Sequence, residues 1–306
     1  MMDWPAMNMA TAIWMAAVAY ASPMMLAALG EVISERAGVM NLGLEGMIAV
    51  GALVGYGVSA DHGSAWLGLA AGGGVGLLLG AVHAALAVWI GADQIVAGLG
   101  MSLAATGAAA FLGPMWITWR SQPAFISELS ASRYKALLGF PPTTYLALAL
   151  GLIAVSVLSG RRLGIAIRAS GDSPEAAEAL GVRVRAVRSS CVLVGGMLAG
   201  LSGAILSLAY AQTWTSTMPN GMGWIIIALV PLSGWRPGRV MLFCLLLAAV
   251  NALQIRFQII GVKLSASILD MMPYVATLIA VIAGRIWPWR KGRWNEPSAL
   301  GRPLEQ

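Results

Sequence analysis

Apolar stretches about as long as a bilayer is thick follow one another along this chain, and that restricts it to very few folds. Ser64 to Ile90 is one such stretch, with His83 its only titratable side chain. A hydrocarbon core of about 30 Å takes about 20 apolar residues per helix, and inside it every backbone polar group must be bonded within the protein. Comparable stretches run from about Thr11 to Leu29, Val39 to Ala60, Ala92 to Gly113, Thr143 to Ser159, Ser189 to Ala211, Met222 to Gly234, Val240 to Ile260 and Ser267 to Trp287. The stretch beginning at Met222 is short and carries Pro231. The predicted fold class is therefore all-α, a polytopic transmembrane helix bundle of about 8–10 spans with one or two broken or short helices. Only 10% of the 306 residues are charged, against about 25% in soluble domains, too few to cover a globule of this size. The 37 glycines fit close helix packing.

Residues 1–287 are expected to form the transmembrane domain, with a charged loop at 160–188, and 288–306 a basic tail without packed structure. Met1 to Ala10 has no Lys or Arg, so the basic start of a cleaved signal is missing and the first span is expected to be retained. Cys191 and Cys244 lie apart in apolar stretches and read as packing residues, with no disulfide framework and no metal-ligand spacing. The net charge of +6 is not a nucleic-acid footprint, because it is concentrated beside the spans. One cluster is Arg161, Arg162, Arg168, Arg183, Arg185 and Arg188; the other is Arg285, Arg290, Lys291, Arg293 and Arg302. Lys and Arg mark cytoplasmic loops, and an even number of spans separates the two clusters, so both they and the C-terminus are expected in the cytoplasm. Counting back puts the N-terminus outside, unless a half-span near Glu31–Glu45 reverses it. The loop from Pro114 to Pro142, with Arg120, Arg133 and Lys135, is then external.

Within the charged loop, Ser173-Pro174-Glu175 is a helix start: Ser can cap, Pro fits the first helical position, and the acid favours the positive dipole end. Ala176, Ala177, Ala179 and Leu180 continue the helix, and Gly181 ends it. A short rod of this kind either docks in a groove of a soluble partner or merely closes the bundle. The ordered pattern Glu175-Ala176-Ala177, three residues, Gly181 resembles the coupling loop of permeases in ATP-binding-cassette (ABC) importers. The runs Glu35 to Met47, Asp93 to Leu99, Trp224 to Trp235 and Met271 to Val275 are similar to blocks of the nucleoside and simple-sugar branch of the family that also carries branched-chain amino acids. Pro231 to Arg236 departs from the usual pattern. The resemblance implies that Pro174, Glu175, Ala176, Ala177 and Gly181 couple to an ATPase subunit. It also implies a second permease subunit and an extracytoplasmic solute-binding protein, all at the inner membrane.

Several polar residues at membrane depth are candidates for the translocation pathway. Glu31, Glu35, Arg36, Asn41 and Glu45 fall between two spans. They read either as a broken helix whose backbone and Asn41 meet a solute, or as a cytoplasmic loop with Glu35 and Arg36 in solvent. Glu45 is the stronger intramembrane acid. Asn251, Gln254 and Gln258 share one helical face, to bind a passing solute or to bond a neighbouring helix. Gln94 is a similar candidate, and Arg256 is expected to snorkel outward. His62 reads as a turn residue and His83 as a hydrogen-bonded packing residue. Trp287 and Trp289 are expected to anchor one interface, and Trp116, Trp119 and Trp214 the other.

The chain has no G-x4-G-K-[ST], nucleophile elbow or HExxH. It is expected to be a non-catalytic subunit without cofactor or metal of its own, with ATP and Mg on the partner. A small polar solute, by resemblance a nucleoside or simple sugar, is the expected cargo. A branched-chain amino acid permease is the nearest alternative. A secondary transporter or channel would need a charged relay or an inverted repeat, and neither is evident. A membrane enzyme is further off still.

Overall fold

The computed structural model describes residues 9–117, 129, 140–160, 162–261, 265–286 and 296–302. No strand occurs among them. The N-terminal half is α1 (Met9–Arg36), α2 (Leu44–His62), α3 (Ala65–Ala84) with a π-helical continuation Ala85–Ile90, and α4 (Gln94–Ile117). Next come α5 (Pro142–Gly160), the short helices α6 (Arg162–Asp172) and α7 (Pro174–Ala179), and α8 (Val184–Ile205) with a π-helical continuation Leu206–Tyr210. The chain closes with α9 (Met222–Ser233), α10 (Pro237–Ile260), α11 (Ala266–Asp270) and α12 (Met272–Ile286). Among the described residues 6 helices are long and apolar enough to cross a membrane, namely α1, α3, α4, α5, α8 and α10 with their continuations. Met222–Ser233 and Ser267–Ala283 are apolar but shorter. The remaining predicted span, α2, has Glu45 and Asp61 near its two ends.

Close approach of backbones holds the centre together. Gly72, Gly76 and Gly80 recur every fourth residue on α3, and face Gly196 and Gly200 on α8. A methyl group on Gly200 would lie 2.7 Å from the Gly76 Cα, and one on Gly196 2.8 Å from the Gly80 Cα. Without a hydrophobic drive between helices in lipid, such small-residue seams maximise dispersion contact. The central seam extends to α2, where Gly55 abuts Ala204 of α8. In α1, Pro23 cannot donate to the Ala19 carbonyl, and the Ser22 hydroxyl donates to it instead at 2.8 Å. The Pro23 carbonyl in turn accepts from Ser202 of α8 at 2.6 Å.

The differences from the sequence reading fall mostly at element ends; the main exception is α6, a helix where only charged loop was expected. α1 does not stop near Leu29 but continues through Arg36, because Glu31 and Glu35 are buried with partners inside the bundle. That burial removes the solvent-exposed alternative for Glu35 and Arg36. α8 starts at Val184 rather than near Ser189. The last span is split at Met271, just before Pro273 in the first turn of α12. The tail is not wholly without packed structure: Pro297 and Ala299 are buried, and the Ala299 N–H donates to the Gly171 carbonyl at 2.9 Å. Trp119, Trp287, Trp289, Arg290, Lys291 and most of the Pro114–Pro142 loop lie outside the described residues.

Candidate functional site

α7 forms as its sequence predicts, with one change. Ser173 occupies the N-cap position but its hydroxyl makes no capping bond, so the fixed φ of Pro174 at the first position starts the helix. Gly181, at φ 84, ends it in the left-handed conformation that a side chain would strain, and its N–H returns to the Glu178 carbonyl at 2.9 Å. Pro174 and Ala177 turn inward. Glu175, Ala176 and Glu178 are exposed, and Leu180 is 86% exposed, a bare apolar side chain just beyond the last turn.

The base of α7 is tied to the bundle through one crowded junction. Arg188 of α8, 1% exposed, donates to the Ser170 carbonyl at 3.0 Å and to the Arg302 carbonyl at 3.4 Å. Gly38, at φ 93, lies so close that a methyl group there would meet the Arg188 guanidinium at 2.7 Å. Gly171 packs directly on the Arg36 carbonyl. Gln94 completes the junction. Its side-chain carbonyl accepts from the Met40 N–H at 2.8 Å, and its amide group donates to the carbonyls of Gly38 at 3.5 Å and Arg302 at 3.3 Å. Asp93 caps α4 beside it, accepting from the N–H groups of Ile95 and Val96 at 2.9 Å each.

Between α1 and α2 the chain returns into the bundle without helix. Asn41 is fully buried: its N–H donates to Glu31 at 3.0 Å, and its side-chain oxygen accepts from the Gly43 N–H at 3.1 Å. His83 bonds the Met40 carbonyl at 3.0 Å, the packing role its sequence indicated. This irregular segment is tolerated at depth because protein, not lipid, surrounds it.

Glu45 caps a short helix. Its two carboxylate oxygens accept from the N–H groups of Gly221 at 2.7 Å and Gly223 at 2.6 Å, at the start of α9. At the other end of α9 the Arg36 guanidinium donates to the Trp235 carbonyl at 3.0 Å, and the Trp235 indole donates to Glu35. The helix thus has an acid at its positive end and a cation at its negative end, both favourable to its dipole. With 12 residues it is about 18 Å long, too short to span a bilayer alone.

Asn251, Gln254 and Gln258 do share a face of α10. Gln254 and Gln258 both donate to one oxygen of Asp270, at 2.8 and 3.0 Å. Asn251, Gln254 and Asp270 line a cavity of about 60 Å³ together with Tyr20, Asn220 and Tyr274, whose hydroxyl donates to the Asn220 carbonyl at 2.8 Å. Of the five sequence-predicted pathway residues, Asn251 and Gln254 therefore face a cavity. The side-chain polar atoms of Glu45 and Gln94 are taken up by backbone partners, and those of Asn41 by the Gly43 N–H and the Met47 sulfur. Asp270, Tyr274 and Arg188 went unnoticed in the sequence as site residues. An acid four residues before Tyr274 in an apolar stretch was the available signal for Asp270. Arg188 looked like one of a surface cluster, and only the fold buries it. Of the tryptophans expected at one interface, Trp116 donates to the exposed Asp61 at 3.1 Å, and Trp214 packs on Gly113; both are half-buried.

Residues 13–283 match the family described as branched-chain amino acid transport system, permease component. A putative glucose ABC transporter permease protein, TsgC13, of Haloferax volcanii is 36% identical, over 96% of this chain and 97% of its own length. The guanosine ABC transporter permease protein NupQ of Bacillus subtilis is 30% identical over 94% of each chain. The nucleoside ABC transporter permease protein NupC of Lactococcus lactis is 32% identical over 86% of this chain and 88% of its own. No solved structure matches significantly. A multi-pass helical bundle matched to that family over nearly its whole length belongs to it: the chain is an ABC transporter permease, a membrane transport subunit that is not itself an enzyme.

Proposed function

We propose that this permease carries a nucleoside or a simple sugar inward across the inner membrane, driven by a separate ATPase subunit that binds ATP and Mg. The observation that carries the reading is α7: a short helix started by Pro174 and ended by Gly181, with Leu180 bare at its end, on a base that is locked into the bundle. Glu175, Ala176 and Gly181 form the exposed part that seats in the ATPase, and Pro174 and Ala177 hold that helix against the bundle, with this end of the bundle and the C-terminus in the cytoplasm. A second permease subunit completes the pathway, and an extracytoplasmic binding protein delivers the solute. The names of the relatives, one for glucose and two for nucleosides, support the cargo class.

The contacts supply a route for the motion. Displacement of α7 moves Gly171 against the Arg36 carbonyl, and Arg36 and Glu35 hold Trp235 at the end of α9. The far end of α9 carries Gly221, held by Glu45, and leads from Asn220, which bonds Tyr274 beside the Asn251–Gln254 cavity. A rigid short helix clamped at both ends transmits such a shift better than a frayed one.

The test is uptake into proteoliposomes holding the complete complex, with labelled guanosine, glucose and leucine. ATP-dependent entry of guanosine or glucose, lost on Gly181→Val or Glu175→Lys without a change in the melting curve, is expected. Normal uptake by those variants overturns the coupling assignment. Entry of leucine alone supports the amino acid reading, which the family description names.

A further inference from the structure

Asp270 brings a carboxyl group to the lining of the small polar cavity. It is exposed at the end of α11, and its neighbours in sequence, Ile268 and Met271, are large, apolar and exposed as well. A carboxylate on so apolar a face of a membrane bundle is tolerated when it borders water or a polar pathway rather than lipid. It is also held in place. Gln254, 8% exposed, and Gln258 both donate to Oδ1, while Oδ2 takes no hydrogen bond among the described residues. The two amides fix the rotamer and leave a pre-aimed acceptor beside the small cavity lined by Asn251, Tyr274 and Asn220.

We infer that Asp270, oriented by Gln254 and Gln258, is a specificity-determining acceptor for adjacent hydroxyl groups of the solute, so that the permease reads polyhydroxylated rings by their vicinal hydroxyl pair. The inference rests on the importer reading above and adds to it the feature of the cargo that is recognised. A carboxylate is an acceptor-only group with two oxygens and several lone pairs, and it suits neighbouring O–H donors. The cavity, about 60 Å³, takes a hydroxyl edge rather than a whole ring, so the ring lies against the open face of Asp270. A neutral amino acid side chain offers no such donor pair, whereas a ribose and a pyranose both do.

Asp270→Asn isolates this role. The Asn side-chain oxygen still accepts from Gln254 and Gln258, so the joint between α10 and α11 survives, while the second oxygen becomes an NH2 that cannot accept. In proteoliposomes with the complete complex and saturating binding protein, uptake rates are compared for guanosine against 2′-deoxyguanosine and for methyl glucoside against methyl 3-deoxyglucoside, which keeps no two hydroxyl groups on adjacent carbons. The unsubstituted complex is expected to favour the hydroxylated member of the transported pair by about tenfold or more, and Asp270→Asn to bring the ratio close to one with an unchanged melting curve. Gln258→Leu, which loosens the carboxylate without altering it, is expected to lower the ratio partway. An unchanged ratio in Asp270→Asn overturns the role of Asp270 while leaving the importer intact. If the unsubstituted complex carries neither pair, the cargo reading falls, and this inference with it.

Discussion

Glu45→Gln tests whether the carboxylate at the start of α9 holds that helix or merely fills space. The parent makes two short bonds, 2.7 Å to the Gly221 N–H and 2.6 Å to the Gly223 N–H. Gln is nearly isosteric, but only one of its two terminal atoms accepts. One backbone N–H is then buried without a partner, at a cost of about 1–3 kcal/mol. Loss of negative charge at the positive end of a helix adds about 0.3–2 kcal/mol. The substitution is therefore expected to destabilise the permease by about 2–4 kcal/mol. Purified protein in detergent, unfolded by heat and followed by tryptophan emission, reports this directly, since Trp224 lies in the first turn of α9. The expected result is a melting temperature several degrees lower, with uptake falling in parallel because α9 no longer relays motion from the α7 end. A variant that melts within about 1 °C of the parent and transports normally would refute the clamping argument.

Other consequences follow from the packing. Gly200→Leu forces α8 away from α3 and is expected to prevent recovery of folded protein, whereas Gly74→Ala, whose added methyl meets nothing within 4 Å, is expected to leave yield and melting unchanged. Truncation before residue 296 removes the acceptor that Arg188 and Gln94 share at Arg302 and the donor to Gly171; ATPase activity of the complex is expected to persist while uptake falls several-fold, and full retention of uptake would show the tail to be incidental. Cys191 and Cys244 are buried free thiols, so a maleimide–polyethylene glycol reagent should label neither in the folded protein and both in detergent-denatured protein, as read by gel shift.

The parts of this fold that could be read from sequence are those whose cause is local. Apolar length sets each span, and the Ser-Pro-Glu start with its glycine end sets α7 within a few residues. What remained hidden depends on distant partners. Glu45 is satisfied by amides 176 and 178 residues away, and Arg36 by a carbonyl 199 residues away. The segment between Glu31 and Glu45 therefore stayed ambiguous between loop and buried track until those partners were known. The polar face of α10 was visible in the spacing of Asn251, Gln254 and Gln258. The fact that two of these amides converge on one acid could not be seen, because Asp270 lies beyond a turn whose course the spacing does not fix. Residues 296–302 of the tail dock through the same kind of distant partner: their donor finds Gly171, and composition alone does not foretell a docked turn.

The central claim is that movement of α7, driven from outside this chain, powers the transport. Uptake of labelled guanosine or glucose should be measured in proteoliposomes that contain both permease subunits and the binding protein, with and without the ATPase subunit. The account predicts concentrative uptake that requires the ATPase and internal ATP and vanishes when either is omitted. Equal uptake in vesicles lacking the ATPase would contradict it.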